Sequence, residues 1–514
     1  MDRIYTEGLK FRDEKGRECI FNGINLVNKG EPTIVGHRKY KFKWDEETIR
    51  ELKELGFNLI RLGVIWDAVE PKPGVYNEEY LDEIEKIVKY CEKYKIYFFI
   101  DIHQDLYGAK SGVGDGAPEW ACLAKGEKFK KALFIWAEGY FYGRAVQKSF
   151  DAFWANEKVN GRGLQDYYCD MLKHVAERFS KSPAYFGFDL MNEPYPGTPG
   201  GKVFTSLIET VVKMAEERAG KIGKKFELQS CFDGGKEKKG FLKLIGKTTA
   251  RLASPAKLSA IKEIMSQKEL FHKAVLSGYD IIRDFDVNFY SPFINKGAAA
   301  IREVTDKGII LMENCYYSNL GIPYSAPAVE VNGVREKQLA FAPHGYDLFV
   351  DSPLYKYASN ERVDSIFEEH QRSQQRLGVP VIVGEWGGFT GGNRWIGHID
   401  HLIEFFNSNN WSSVYWAYDK KILKSPVIDS LSRPYPQRIN GDLISFSYDK
   451  DDKYFRMSFV QNEDNDEDTI VFLHSRPKDI ETDCRYEIES YPFAKTGILR
   501  LYGKKGGHKL KIIF

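Results

Sequence analysis

Eight short apolar runs recur along this chain: "CIFNGINL", "FNLIRLGV", "KIYFFIDIH", "AYFGFDLMNE", "GIILMEN", "LAFAPHGY", "PVIVGEW" and "SSVYWAY". Each is short enough for a strand and apolar enough to be buried on both faces. Between them lie helical stretches such as "DEETIRELKELG", with apolar residues spaced by three and four and a stop at Gly56. Strands that alternate with helices call for a parallel sheet, and eight such units predict an α/β fold, the (β/α)8 TIM barrel. That barrel typically takes about 250 residues, so one running to Pro436 must carry long loops. Beyond Pro436 the pattern becomes short alternating strands with Gly and Asp turns. The expected domains are therefore a catalytic barrel over 1–436, with a helical insertion at about 200–285, and a small antiparallel β-sandwich over 437–514. The linker is "LSRPYPQR", stiffened by two prolines.

The totals exclude several function classes. A net charge of +1 gives no global attraction for nucleic acid. No run of about 18 apolar residues is present, so no integral membrane segment is expected. The N-terminal "MDRIYTEGLKFRDEKGRECIF" lacks the apolar stretch of a secretory signal, which points to a cytoplasmic chain or one whose signal was removed. Seven scattered cysteines, without CxxC, read as reduced thiols. No HExxH, EF-hand loop or Cys/His cluster is visible, so neither metal nor cofactor is expected. Aromatic residues reach 14 %, which suits ring stacking on sugars and equally a large aromatic core.

Catalytic side chains of a (β/α)8 barrel sit at the C-terminal ends of its strands. Those ends carry Arg61, His103, Asn192, Glu193, His344, Tyr346, Glu385 and Trp416. Glutamates on the fourth and seventh strands would face each other across the barrel mouth. Glycoside hydrolysis needs such a pair, one carboxylic acid to protonate the leaving oxygen and one carboxylate to attack the anomeric carbon or activate water. In this arrangement Arg61 would keep Glu385 ionised, Tyr346 would donate to it, His344 would orient Glu193, and Asn192 would bind a sugar hydroxyl. The blander readings are an ion pair for Arg61, satisfied core histidines for His103 and His344, and core packing for Trp416.

The motifs "LMNEP", "GEWG", "NLIRLGVIW" and "HG" before Tyr346 resemble retaining family 5 glycoside hydrolases. "DIHQDLYG", "FDLMNEPYPG", "FAPHGYD", "GEWGG" and "RPYPQRINGDL" are similar to the endoglycoceramidase branch, which cleaves between an oligosaccharide and the ceramide of a glycosphingolipid and also carries a C-terminal β-sandwich. The resemblance implies Glu193 as acid/base and Glu385 as nucleophile. It implies that Lys29, His103, Asp105, Asn192 and Trp416 contact the glucose next to the lipid, with Arg61, His344 and Tyr346 in support. Trp395 would be a second sugar-contacting tryptophan.

One stretch departs from that pattern. Lys202 to Lys273 holds 16 Lys or Arg against 8 Asp or Glu, a net of +8, which leaves −7 for the rest of the chain. Its segments read as amphipathic helices on the catalytic face. They are expected either to rest on an anionic lipid surface or to form a lid that shapes the cleft. Three functions compete. They are a glycosphingolipid-cleaving retaining β-glycosidase, an intracellular β-glucosidase for glucosylceramide or other small glycosides with an apolar aglycone, and a non-catalytic carbohydrate-binding barrel.

Overall fold

The computed structural model describes every residue except 33–37, 112–113, 134, 221–225, 232–236, 351–354, 389–392 and 493. Eight parallel strands make one sheet: β1 (Asn22–Leu26), β2 (Leu59–Ile65), β3 (Tyr97–His103), β4 (Tyr185–Asp189), β5 (Ile309–Met312), β6 (Leu339–Phe341), β7 (Ile382–Gly387) and β8 (Ser412–Trp416). They run in the order β6-β5-β4-β3-β2-β1-β8-β7. Parallel bridges from Phe341 to Val381 and from His344 to Glu385 close the ring. Every strand residue is buried except Trp416, as the unbroken apolar runs require.

The helices begin and end where local chemistry dictates. Asp45 caps α1 (Glu46–Glu54), its side chain accepting from the Thr48 N–H. Gly56 follows that helix with φ +92°, a conformation glycine adopts without a Cβ penalty. A Cβ there would meet the Phe472 ring at 2.5 Å, so the same glycine lets the C-terminal sheet dock on the barrel. Asn77 caps α2 (Glu78–Tyr94) in the same way as Asp45 caps α1.

The domain boundaries differ from those expected. Three N-terminal strands, Ile4–Glu7, Lys10–Asp13 and Glu18–Cys19, are not part of the barrel. They join a seven-stranded sheet with Tyr435–Ile439, Thr469–Leu473, Gly497–Tyr502 and Arg485–Ser490. Tyr435–Ile439 begins within the expected linker. It pairs with Glu18-Cys19 on one edge and with Thr469–Leu473 on the other, with a register break next to Pro436, which has no N–H to give the ladder. A four-stranded sheet (Asp442–Asp449, Tyr454–Gln461, Asp479–Thr482, Gly506–Ile513) completes the sandwich. Phe11 and Ile4 of the N-terminal strands also pack under the barrel against Phe186, Phe99 and Leu311. The hairpin therefore seals the end opposite the strand C-termini.

The basic insertion is helical. It contributes α3 (Thr198–Arg218), α4 (Glu237–Leu252), α5 (Pro255–Ser266) and α6 (Lys268–Val275). Among the described residues, no helix is long and apolar enough to cross a membrane. All seven cysteines are unpaired and buried.

Candidate active site

Glu193 and Glu385 meet at the open end of the barrel. One oxygen of each and a ring nitrogen of His344 all lie within 4.8 Å of one another. Glu193 lies four residues past the end of β4 and holds φ +41°, a left-handed conformation that costs a non-glycine residue about 1–2 kcal/mol. Its backbone N–H donates to Glu313 Oε1 at 2.5 Å, which fixes that turn. Asn319 Nδ2 donates to Glu193 Oε1 at 2.6 Å, and His344 Nδ1 lies 3.0 Å from the same oxygen. Glu385 projects from within β7. Arg61 Nη1 donates to its Oε1 at 2.6 Å and the Tyr346 hydroxyl to its Oε2 at 2.9 Å. Arg61 and Tyr346 thus touch Glu385, and His344 touches Glu193.

The surroundings separate the two carboxyls. Burial, then the nearby charge of Asp105, pushes Glu193 up to about 7. Burial raises Glu385 too, but the fixed charge of Arg61 stands against it. With a guanidinium and a phenol donating to it, Glu385 is the group better suited to hold negative charge, and Glu193 the one better suited to hold a proton. Burial drives His344 down to about 3, so it stays a neutral imidazole.

Arg61 is the hub of the site. It lies in the middle of β2, rather than at the strand end, and is fully buried. Its Nη2 is 3.0 Å from Asp101, 3.0 Å from Asp189 and 3.2 Å from Glu313, while Nη1 holds Glu385. It also donates to the side-chain oxygens of Asn25 at 3.1 Å and Asn192 at 2.8 Å. Four carboxyls cannot all ionise around one cation. Burial and the neighbouring Asp189 raise Glu313 far above the usual range, so Glu313 keeps its proton and donates it to Asp189. Asp101, Asp189, Glu313 and Asn319 were not singled out from the sequence. The available signal was an ionisable residue inside an apolar run, as in "FIDIH", "GFDLM" and "ILMEN".

A polar wall stands beside the pair. Lys29 forms an ion pair with Asp105, and its ammonium lies 4.8 Å from the Trp416 ring centre. His103 stacks on Trp416 with centroids 5.3 Å apart, and its Nδ1 is 2.8 Å from Asp101. Against its burial, Asp101 and Asp105 lift His103 to about 10, so it is an imidazolium. Asp115, also missed, is fully buried next to this wall, with no hydrogen bond to its carboxyl among the described residues. Trp395 does not line the cavity. It is buried on the helix Asn393–Ser408, with its ring 6.4 Å from Tyr355 and 5.1 Å from His398.

These groups open into a cavity of about 730 Å³. Lys29, His103, Asp105, Asn192, Glu193, Glu385 and Trp416 line one part of it. The remainder is largely apolar and the insertion builds much of it, with Leu207, Ile208 and Val211 from α3, Leu252 from α4, and Ile261 and Met265 from α5. The inner faces of the basic helices are therefore walls of the cleft.

If Glu193 supplies the proton, kcat/KM falls above about pH 7 as that carboxyl ionises. Asp105→Asn removes a negative charge that raises Glu193 and releases Lys29, and both effects lower the Glu193 pKa. The alkaline limb of the pH–rate profile is expected to move to lower pH; an unmoved or raised limb would rule out this assignment.

Comparison with known proteins agrees with this geometry. Residues 13–224 and 288–422 match the family model described as Cellulase (glycosyl hydrolase family 5), and residues 433–512 match the glycoside hydrolase family 5 C-terminal domain. The insertion falls largely in the gap between the two matched parts. An endoglycoceramidase of Cyanea nozakii is 33% identical over 218 residues, 38% of this chain and 42% of that protein. A glucosylceramidase of Rhizopus delemar is 27% identical over 248 residues, 38% of this chain and 36% of that protein. The matches thus span less than half the length of these curated relatives. Endo-glycoceramidase II from Rhodococcus sp., solved as a ganglioside GM3 complex, superposes with a TM-score of 0.69 at 19% identity, covering 98% of both chains. With both domains matched in order along the sequence, this chain belongs to glycoside hydrolase family 5.

Proposed function

We propose that the protein is a retaining β-glycosidase that cleaves the bond between a glycan and the ceramide of a glycosphingolipid. One observation carries this reading: a single cavity joins the Glu193–Glu385 pair to a large apolar chamber. In the mechanism, Glu385 attacks the anomeric carbon while Glu193 gives its proton to the departing oxygen. The lipid alcohol leaves, and the sugar remains esterified to Glu385. Glu193, now ionised, takes a proton from water, which attacks the same carbon and frees Glu385. One oxygen of each carboxyl lies within 4.8 Å of the other, which favours the closer spacing of retaining enzymes, about 5–5.5 Å. Lys29, His103, Asn192 and Trp416 hold the sugar, and the chamber of α3, α4 and α5 takes the aglycone.

Incubation with glucosylceramide, lactosylceramide and a long ganglioside, followed by analysis of the released sugar, tests the proposal. Intact oligosaccharide is expected, and failure on all three lipids would reject it. A second reading, removal of a single glucose from a lipid aglycone, is favoured by the relative named glucosylceramidase; in that case only the monoglycoside is consumed. Either reading predicts that Leu207→Trp, which fills the chamber, raises KM for a long-chain glycolipid about tenfold or more. Turnover of a nitrophenyl glycoside is expected to stay unchanged. The lipid-surface contact considered for the insertion belongs to the same reading, because a substrate of this kind resides in a membrane or micelle.

A further inference from the structure

Helix α4 presents two different faces. Phe241 and Leu244 are buried, and Thr248 and Leu252 line the cavity. The opposite side carries Lys239, Leu242, Lys243, Ile245 and Gly246, all exposed; Leu242 is 53% exposed and Ile245 37%. Along its length α4 holds Lys238, Lys239, Lys243, Lys247 and Arg251 against Glu237 alone, a net of +4. Arg251 pairs with Glu216 at 3.1 Å. The lysines point elsewhere: Lys239, Lys243 and Lys247 meet no carboxylate among the described residues.

Exposed leucine and isoleucine between unpaired lysines contribute little to the folded chain. Water solvates the apolar pair poorly, and the cations repel one another. An anionic lipid surface satisfies both, offering an acyl boundary to Leu242 and Ile245 and headgroup charge to the lysines. Charge complementarity favours this occupant over another copy of the chain, whose own α4 is equally basic.

We propose that the outer face of α4 docks on an anionic lipid surface. This rests on the lipid-aglycone reading above and deepens it. Thr248 and Leu252 of the same helix wall the cavity, so docking holds the apolar chamber close to the surface in which a glycolipid resides.

The test uses the full chain, the double variants Lys239→Glu/Lys243→Glu and Leu242→Ser/Ile245→Ser, and vesicles of phosphatidylcholine with and without phosphatidylserine. The parent is expected to co-float with the phosphatidylserine vesicles, less so at high salt, and not with phosphatidylcholine alone. Each double variant is expected to lose at least about tenfold in partitioning. Hydrolysis of vesicle-embedded glycolipid should fall with it, while hydrolysis of a soluble nitrophenyl glycoside holds and reports an intact fold. The inference is overturned if the parent does not co-float, if the variants co-float equally well, or if light scattering shows a parent dimer that Leu242→Ser/Ile245→Ser dissolves. Cleavage of glycolipid in neutral detergent separates the two ideas. Cleavage there without vesicle binding defeats only the docking face, whereas vesicle binding without glycolipid cleavage defeats the substrate reading.

Discussion

Glu385→Gln is expected to lower turnover by about 10⁴-fold or more on every glycoside tested, because no other carboxylate can reach the anomeric carbon from that position. Glu193→Ala is expected to behave differently. On a lipid glycoside, whose leaving alcohol needs a proton, the loss should be about 10²–10⁴-fold. On a dinitrophenyl glycoside the leaving group departs unaided, so the first step survives and the second becomes slow. Added azide, which needs no general base, should then restore turnover in Glu193→Ala and leave Glu385→Gln inactive. Equal loss in both variants on both substrates, with no azide effect, would contradict the division of labour drawn from their surroundings. That division comes from unequal neighbours: Arg61 and Tyr346 donate to Glu385, whereas Glu193 has an amide donor and a neutral imidazole.

Arg61→Leu is expected to be the most destabilising single change in the barrel. The side chain is fully buried and is the cation facing Asp101, Asp189, Glu313 and Glu385. Removing one partner from a buried charge cluster typically costs about 3–5 kcal/mol, since the charges left behind have neither water nor a counterion. Urea denaturation reads this directly. Arg61→Lys keeps the charge but loses the fork that holds several oxygens at once. It should recover part of the stability and little of the activity. In Arg61→Leu the Glu385 pKa rises further, so the acidic limb of kcat/KM moves to higher pH. If Arg61→Leu were as stable as the parent, the hub would be ornamental and the ionised state of Glu385 would need another cause.

All eight barrel strands were legible because each is an uninterrupted apolar run between helices, a pattern that depends on local sequence alone. Glu193 and Glu385 were legible because they follow such runs directly. The N-terminal strands were not, since Ile4–Glu7 and Lys10–Asp13 find their sheet partners through Glu18–Cys19 and Tyr435–Ile439, more than 400 residues away along the chain. Nothing in the local pattern announces that pairing. Arg61 was read at a strand end but lies inside β2, where only the other charges in the barrel make its burial tolerable. Glu313 and Asn319 escaped notice because their importance depends on the position of Glu193, to which both donate or from which they accept. Trp395 was implied by the resemblance alone, and a resemblance does not report which side of a helix faces the cleft. The insertion's charge was visible in the sequence; its apolar inner faces became meaningful only once α3, α4 and α5 stood around one cavity.

A trapping experiment tests the assignment of Glu385 as nucleophile most directly. Incubation with a 2-deoxy-2-fluoro-β-glucoside bearing a good leaving group, followed by digestion and mass spectrometry, asks which side chain receives the sugar. One fluoroglucosyl group on the peptide containing Glu385, absent in Glu385→Gln, is the predicted result. Time-dependent inactivation with the sugar on another carboxylate, or with no sugar attached, would contradict it.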